Sequence, residues 1–449
     1  MHYNNWETTK GELMKKIYQK KNIVVKGIII LVITFLLIAP VQVLSSQQMQ
    51  SKIKQLSLIM ETKAWTALYY IDADSKSINA DILESKFINE VSSSEQLNVL
   101  ILQDMQNDPA FLYYIDEQHN KILLKDLGEV NMGEPQTLSD FISYGKEHYP
   151  AERYQLCIWG HANAWYGVCP DETSGGDMLT SDEFQQALSS TEGVDLLCFI
   201  GCCQMGSLEV VYELKDLCEV YIGSEDVGYG PHWYGMIDEM CELLNNNIQM
   251  STVECGEQIV QLIGNNPNEY TDVLTISAMR TDRIQDLVDN IETLSIHLYE
   301  NDDELYENLK SARANTKDYE FIKKSYLLDI YDFADNYLKI ETNQTIYRIL
   351  NNIKTNLSET VIAECHGEMQ SNSHGLSIFY SSSNWGGLPG SISLYINYAL
   401  DFTRDTHWDE LLNNHKEKSK TLLINNLFNQ FHEIYPYFFP LLQQILELK

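Results

Sequence analysis

The sequence predicts an α/β fold in which a mostly parallel central sheet has helices on both faces. Strand-like and helix-like patterns alternate along residues 65–223, as they do in proteins built on a parallel sheet. The run VDLLCFI at 194–200 is apolar except for one aspartate, which is typical of a strand buried on both faces. Because 44% of the chain is hydrophobic, it can bury a sizeable core.

Each predicted element has a local signal. The strand patterns combine β-branched and aromatic residues and end at polar residues or glycine. Two helices begin where threonine precedes an acidic residue by three positions, as in a capping box: Thr137 with Asp140, and Thr180 with Glu183. The predicted strands are 65–71, 97–102, 154–159, 194–200, 220–223 and 375–380, with an apolar run at 273–279. The predicted helices are 137–149, 180–188, 207–217, 284–294 and 327–338.

The charge of the chain differs between its start and its body. The 449 residues carry 64 acidic and 31 basic side chains, a net charge of −33. A surface of this sign repels nucleic acid, so nucleic-acid binding is not expected. Residues 1–44 are basic instead, with six lysines against two glutamates. This difference predicts that the basic head and the acidic body lie in different compartments.

Residues 23–44 are predicted to cross a membrane. They are mostly apolar, with Lys26 as the one charged residue, and are long enough to span ~30 Å of hydrocarbon. Lysines precede the segment, which places the N-terminus in the cytoplasm and the body outside. A cleaved signal peptide with a long basic region is the alternative, and a buried core helix is a third. The expected location is therefore a cell membrane with one span, or the exterior if the segment is cleaved.

The chain divides into five predicted regions. They are a basic head with the membrane segment (1–45), a linker (46–63), the α/β core (64–240), the C-terminal part of the body (241–405) and a helical tail (406–449). The tail is apolar and aromatic from 422 to 448. It is expected to pack on the body or to touch the membrane.

No metal site or disulfide framework is predicted. The nine cysteines are odd in number and irregularly spaced, which argues against a disulfide scaffold. The sequence has no CxxC motif and no histidine pair at zinc-ligand spacing. Four acidic residues could suggest calcium, but their spacing does not match an EF-hand loop. They are Asp171, Glu172, Asp177 and Asp182.

Two predicted strands end in residues that can perform catalysis. The strand at 154–159 leads into Gly160 and His161, and the strand at 194–200 leads into Gly201, Cys202 and Cys203. If these strands are neighbours, the histidine and the cysteines lie at the carboxyl edge of the sheet, where open parallel sheets bind ligands. An imidazole and a following helix N-terminus would favour a reactive thiolate. The alternative is a buried cysteine and a loop histidine with no catalytic role.

Six segments, in order, resemble the clostripain family of cysteine peptidases, relatives of caspases, gingipains and legumain. The resemblance covers residues 64–400. The segments are WTALYYIDADS (65–75), LGEVNMGEPQTLSDFISYGKEHYPAERYQLCIWGHANAW (127–165), DETSGGDMLTSDEF (171–184), GCCQMGSLEVVYEL (201–214), SEDVGYG (224–230) and HGLSIFY (374–380).

The resemblance implies a caspase-like α/β/α sandwich and an endopeptidase that forms an acyl-enzyme. Aligned on Met205 and Gly206, the family nucleophile falls on Cys203 and not on Cys202. The family base falls on His161, and the backbone N–H groups of Ala162 and Cys203 would form the oxyanion hole. Polypeptides are the expected substrates, and no cofactor is expected.

The sequence departs from the family pattern in three ways. Ala162 replaces a glycine, which would lower activity if that turn needs φ > 0. Gly201 replaces an aspartate associated with binding Arg or Lys at the cleavage site. Residues 154–214 contain no Lys or Arg at which the chain could be cut for maturation. Glu225 and Asp226 remain as candidate anions for the substrate pocket.

These departures leave an alternative function open. A catalytically weak or silent surface protein could use the peptidase fold to bind partners. An enzyme that joins peptides would use the same cysteine and histidine, and the sequence alone does not separate joining from hydrolysis.

Overall fold

The computed structural model describes residues 62–413, except 77, 79, 107, 234–235, 301–302, 321–324 and 381–391. The predicted membrane segment at 23–44, nearly all of the linker and the tail from 414 onward lie outside the described residues. Those interpretations therefore stay predictions. Within the described part of the chain, no helix is both long enough and apolar enough to cross a membrane.

Fourteen strands are found in the described residues. They are β1 (Lys63–Ala73), β2 (Leu97–Met105), β3 (Ala110–Ile115), β4 (Lys121–Gly128), β5 (Ala151–Trp159), β6 (Val168–Asp171), β7 (Asp177–Leu179), β8 (Leu196–Ile200), β9 (Val220–Gly223), β10 (Thr275–Arg280), β11 (Asp318–Glu320), β12 (Ser325–Asp329), β13 (Val361–His366) and β14 (Ser377–Phe379).

The helices of the same residues are α1 (Ala80–Leu83), α2 (Pro135–His148), α3 (Ser181–Ser189), α4 (Leu208–Glu213), α5 (Ile237–Asn246), α6 (Thr252–Asn265), α7 (Ile284–Glu300), α8 (Asp303–Asn315), α9 (Ile330–Leu338), α10 (Gln344–Thr360), α11 (Ile392–Tyr398) and α12 (Leu400–Asp405). A π-helical turn, Glu84–Ile88, follows α1.

Nine strands form the main sheet, in the order β13-β10-β9-β8-β5-β1-β2-β3-β4. The five in the middle, from β9 to β2, are parallel, and two antiparallel strands flank them on each side. The α/β class and the parallel centre are thus as predicted. The β3–β4 hairpin was not predicted, because β4 (KILLKDLG) is mostly exposed and lacks the apolar alternation of a half-buried strand.

Both faces of the sheet are buried. In β5, Leu156 and Ile158 point into one hydrophobic core, while Cys157 and Trp159 point into the other. Residues of α2, α3, α7 and α10 contribute to the first core, and residues of α5 and α6 contribute to the second. The result is the predicted three-layer sandwich, since successive side chains of a strand alternate between its two faces.

A second, three-stranded sheet joins the C-terminal part of the body to the core, with the order β11-β12-β14. The Ser377 backbone N–H at the start of β14 donates to the Gly206 carbonyl at 2.9 Å. The predicted helix at 327–338 was partly wrong, since β12 ends at Asp329 and α9 begins at Ile330. The Asp329 carboxylate accepts the Asp332 N–H and so fixes this start.

One of the two predicted capping boxes is present. The Thr180 hydroxyl accepts the Glu183 N–H, and the Glu183 carboxylate accepts the Thr180 N–H at 3.0 Å. The Thr137 box is wrong because α2 begins at Pro135, so that Thr137 already lies inside the helix. Proline suits the first helical position, since the N–H that it lacks has no partner there.

Because only Thr180 caps a helix, replacing each threonine by alanine is expected to change the free energy of unfolding by different amounts. Thr180→Ala removes a cap and is expected to lower the free energy of unfolding by ~1 kcal/mol. Thr137→Ala removes no cap and places a good helix former in the first turn, so stability is expected to change by less than ~0.5 kcal/mol. Urea denaturation followed by circular dichroism measures both, and equal losses would contradict the assignment of the caps.

Candidate active site

The sheet brings His161 and Cys203 to the same edge. Strands β5 and β8 are parallel neighbours, and Trp159 at the end of β5 pairs with Ile200 at the end of β8. His161 follows its strand by two residues and Cys203 follows its strand by three. The predicted adjacency of the two strands is therefore confirmed. His161 keeps more than a third of its surface exposed while protein covers the rest, and Cys203 is half-buried.

The two adjacent cysteines have different environments. Cys202 is fully buried, and its thiol donates to the carbonyls of Ile158 at 3.5 Å and Ile200 at 3.6 Å. Burial raises the pKa of Cys202 well above that of an ordinary thiol. A substrate can reach Cys203 but not Cys202. The environment of each thiol therefore supports the predicted choice of Cys203.

The surroundings of Cys203 and His161 favour a neutral pair, a thiol with an unprotonated imidazole. Burial raises the pKa of Cys203, the Gly228 backbone N–H offsets part of this, and the Asp226 carboxylate raises it further. Burial lowers the pKa of His161, and the negative charge of Glu172 acts in the opposite direction. Both shifts disfavour a preformed thiolate–imidazolium pair.

The expected help from a helix N-terminus is absent. Helix α4 begins only at Leu208, five residues beyond Cys203, and has six residues. The helix thus begins within one residue of its predicted start at 207, but its first N–H groups do not follow the thiol directly. A sharp turn stands there instead, in which Gln204 has a φ of 61°.

Two backbone hydrogen bonds hold this turn against the loop after β9. The Gln204 N–H donates to the Asp226 carbonyl at 2.8 Å, and the Gly206 N–H donates to the Ser224 carbonyl at 2.7 Å. A Cβ at Gly228 would lie 2.4 Å from the Cys202 carbonyl oxygen. Only glycine fits there, so the segment SEDVGYG packs directly on the cysteine turn.

Backbone hydrogen bonds also hold the histidine loop. The Cys169 N–H donates to the His161 carbonyl and the Asn163 N–H to the Gly167 carbonyl, each at 2.9 Å. Ala162 lies between these two bonds and faces Val168. The two residues form a non-hydrogen-bonded antiparallel pair, so the Ala162 N–H points away from the Val168 strand. The concern that alanine would strain this turn was wrong, because the positive φ of 46° belongs to Ala164.

The three predicted pocket residues differ in accessibility. Gly201 has a φ of +69°, and a Cβ there would lie 3.4 Å from the Trp159 indole nitrogen. Glu225 is fully buried, and its carboxyl accepts the Gly375 N–H at 2.8 Å. Burial and then the nearby Asp329 charge raise the pKa of Glu225 well above its usual range. Glu225 is therefore a structural residue of the interior, which counts against its use as a pocket anion.

Asp226 is the better placed of the two acids. It is half-buried, its charge acts on Cys203, and its carboxylate accepts the Gln370 amide at 2.6 Å. A narrow crevice begins at Gly201. The described residues that line it include one histidine but no Asp, Glu, Lys or Arg. Its residues include Gly201, Ser224, Tyr229, His232, Trp233 and Thr275.

Sequence reasoning missed a group of acidic residues beside the histidine strand. Carboxylate oxygens of Asp74, Glu129 and Asp171 lie within 4.8 Å of one another. Of the four acids considered for calcium, only Asp171 belongs to this group, while Glu172 binds Ser75 and Lys76 and Asp177 binds Asn131. The signal that could have found the group is the pair of strand ends IDAD and LQD, whose acids follow neighbouring parallel strands.

The fold and the site define a protein of the cysteine-peptidase class: an α/β/α sandwich with a histidine and an accessible cysteine at the ends of adjacent parallel strands. The profile of the clostripain family matches residues 69–415, which is most of the chain. The chain therefore belongs to the clostripain family of cysteine peptidases.

Individual relatives agree with this assignment. Clostripain of Hathewaya histolytica is 27% identical over an alignment of 219 residues, and the match covers 37% of this chain and 40% of that protein. The match thus spans less than half of that relative's length. A secreted C11 cysteine protease from Bacteroides thetaiotaomicron, solved with an irreversible peptide inhibitor, is 17% identical with a TM-score of 0.56, covering 76% of this chain and 98% of that one.

An inactive zymogen of a C11 protease from Parabacteroides distasonis has the same fold. It is 19% identical, with a TM-score of 0.59, and the alignment covers 77% of this chain and 99% of the zymogen. At these identities the two solved structures establish the shared fold.

The neutral pair predicts how Cys203 responds to pH. A raised pKa keeps the thiol protonated at neutral pH, so its alkylation by iodoacetamide is expected to be slow at pH 7. The rate should still be climbing above ~8.5, the pKa of an ordinary thiol. Peptide mass spectrometry of the native protein gives the rate at Cys203, and a rate already constant at pH 7 would instead show a preformed ion pair. Cys202 should stay unmodified throughout.

Proposed function

We propose that the protein is an extracytoplasmic endopeptidase that hydrolyses peptide bonds through Cys203 and His161. The observation that carries this proposal is the register of β5 with β8, which places an exposed histidine and a half-buried thiol just past the ends of adjacent strands. Membership in the clostripain family adds the reaction class.

The neutral resting pair suits a general-base mechanism. His161, whose pKa burial lowers, is unprotonated at neutral pH and can accept the thiol proton as the Cys203 sulfur bonds to the substrate carbonyl carbon. The imidazolium then returns this proton to the leaving amine as the C–N bond breaks. Water, deprotonated by the same imidazole, hydrolyses the thioester, and the departing thiolate is reprotonated.

Two backbone groups are suited to stabilise the oxyanion. The Ala162 N–H points away from Val168, and within the described residues neither this N–H nor that of Cys203 donates to a backbone carbonyl. Both groups flank the edge where the substrate carbonyl would lie. A single oxyanion donor is typically worth ~10²–10³ in rate.

The test of the nucleophile compares the two cysteines. Cys203→Ala is expected to abolish peptide hydrolysis, whereas Cys202→Ala should retain most of it because that thiol is sealed in the interior. A peptidyl acyloxymethyl ketone should label Cys203, as mass spectrometry of the adduct would show. An adduct on Cys202 alone would overturn the assignment.

The same reagent separates the alternatives that the sequence left open. A folded protein that is not labelled by a panel of such ketones varied at the residue before the cut would favour a binding role without catalysis. Products that contain a new peptide bond, detected when a second peptide amine is supplied, would indicate joining of peptides.

The extracytoplasmic location is supported by the sequence of residues 23–44 and the lysines before it. The similar Bacteroides protease is described as secreted. We expect the full chain to fractionate with membranes and its body to be degraded by protease added outside intact cells. Recovery of the full-length chain in the cytosol would contradict this location.

The substrate pocket is proposed to differ from one that takes Arg or Lys. Gly201 offers no carboxylate, and the Trp159 indole N–H beside it is buried without an acceptor. A guanidinium or ammonium carries only donors, so it would find no partner there. An uncompensated buried cation is costly, which disfavours these side chains.

We therefore predict no strict preference for Arg or Lys before the cut. Gly201→Asp should create such a preference, because a Cβ at this site has room and aspartate tolerates the left-handed backbone better than most residues. Profiling on a mixed peptide library measures both proteins, with Gly201→Asn as the control that has equal size and no charge. A marked preference for Arg or Lys in the natural enzyme that disappears in Asp226→Asn would show that Asp226 supplies the anion.

The absence of Lys and Arg between 154 and 214 leads to a related expectation. The chain should not be matured by a cut after a basic residue between His161 and Cys203. Intact-mass analysis of the active protein would reveal such a cut if it occurs.

A further inference from the structure

The crevice that begins at Gly201 lies beside the candidate nucleophile. Its wall includes Gly228, whose backbone N–H bonds to the Cys203 thiol. The next wall residue is Tyr229, and burial and then the charges of Asp226 and Cys203 raise the pKa of its phenol. The carbonyl that Cys203 attacks belongs to the residue before the cut, and the side chain of that residue starts one bond from this carbonyl. That side chain is therefore within reach of the crevice.

The polar side chains of the lining are already paired with protein groups. The hydroxyls of Ser224 and Thr275 share a hydrogen bond at 2.7 Å, and Thr275 Oγ1 also accepts the Asp226 N–H at 3.0 Å. The Nε2–H of His232 donates to the Tyr270 carbonyl at 3.1 Å. Burial lowers the pKa of His232, which this hydrogen bond offsets in part, so the ring is uncharged at neutral pH.

The rest of the lining is apolar. Its apolar side chains are Phe199, Trp233, Ile263, Leu274 and Ile276. Among the described residues that line the crevice, none carries a charge at neutral pH to meet an acid or a base. A charged substrate side chain would lose its hydration here without a partner, which is unfavourable.

The crevice is also small. The centre of a water molecule has only about 10 Å³ in which to lie, which is room for roughly one such molecule. A methyl or hydroxymethyl group is close to this size. The side chains of leucine, phenylalanine and lysine are much larger and would have to displace part of the wall.

Tyr229 is the large side chain that separates the crevice from solvent. It is half-buried, whereas the other large side chains of the lining are buried. Its ring stacks on Tyr270, with centroids 4.6 Å apart and planes at 14°, and meets the edge of His232 at 5.6 Å. Tyr270 is itself held, because its N–H donates to Asn268 Oδ1 at 2.8 Å. Moving the Tyr229 ring aside would break this stack.

We propose that the crevice selects a small, uncharged side chain, such as that of alanine or serine, before the cleaved bond, and that Tyr229 sets this size. This inference rests on the peptidase function proposed above and adds a positive preference to the expected lack of one for Arg or Lys. A larger side chain is held outside, which moves the substrate carbonyl away from the Cys203 sulfur and slows the reaction. The carboxylate of Gly201→Asp would lie at the mouth, where a long cation meets it without entering.

The test measures kcat/KM on peptides that differ only in the residue before the cut, which is Gly, Ala, Ser, Leu, Phe or Lys. The natural chain is expected to cleave after Ala or Ser at least ~10-fold faster than after Leu or Phe, since one methylene too many in a tight pocket already costs about this factor. Cleavage after Gly should be slower than after Ala, because glycine leaves the crevice empty.

Tyr229→Ala is the decisive variant. Removing the ring should raise the ratio of kcat/KM for Leu to kcat/KM for Ala by ~10-fold or more. Tyr229→Leu makes a smaller change in volume and should shift this ratio in the same direction, which tests the wall if the alanine variant does not fold. Tyr299→Ala makes the same substitution at an exposed position of α7 and should leave the ratio as it is in the natural chain.

Two sets of results separate this inference from the function on which it rests. Hydrolysis by the natural chain that is equal across the series, or fastest after Leu, Phe or Lys, would overturn the inference and leave the peptidase function standing. An unchanged ratio in folded Tyr229→Ala would overturn the role of Tyr229. A folded natural chain in which no acyloxymethyl ketone labels Cys203 would overturn the peptidase function, and the inference with it.

Discussion

The pairing of β5 with β8 is the constraint on which the rest of the site depends. Each strand is buried on both faces, so its side chains must alternate between two separate cores: Leu156 and Leu197 belong to one, Cys157 and Cys198 to the other. A slip of one residue would exchange the faces of a whole strand. Hydrophobic burial therefore fixes the register, and the register fixes where Gly160–His161 and Gly201–Cys203 leave the sheet.

A second constraint couples the distant C-terminal part of the chain to the cysteine turn. The buried Glu225 carboxyl accepts the Gly375 N–H, and burial together with the nearby Asp329 charge raises its pKa well above the usual range. Asp329 in turn starts α9 and accepts the His374 N–H at 2.7 Å. One buried acid pair thus holds the loop after β9, the segment HGLSIFY and helix α9 in contact.

The parts of the fold that follow from burial could be predicted from sequence. Strand β8 is a continuous apolar run, β1, β2 and β5 each contain an apolar stretch, and helix α7 has a clear apolar face, so all of these elements were found in the sequence. The β3–β4 hairpin was missed because an edge strand has no buried face to mark it. The starts of α9 and α2 do carry local signals, the Asp329 cap and proline at the first helical position, which were passed over in favour of the apolar pattern and the Thr137 box.

The candidate site, like the fold, could be predicted only in part. His161 and Cys203 could be predicted because each reactive side chain follows a buried strand, and this order can be read directly from the sequence. Which of the two acids is accessible was not visible, since Glu225 and Asp226 are neighbours in sequence, yet Glu225 is fully buried and Asp226 is half-buried beside Gln370. The acidic group of Asp74, Glu129 and Asp171 was also hidden, because its members come from segments up to about a hundred residues apart and meet only in the folded protein.

Strand β4 lies at one edge of the main sheet, and most of its residues are exposed. Ile122, Leu123 and Leu127 are each more than a third exposed there, beside a backbone edge that a strand from another chain could extend. Lys121 and Lys125 interrupt this apolar surface, and burying lysine against a second copy would be unfavourable. These two lysines therefore disfavour edge-to-edge self-association of the protein.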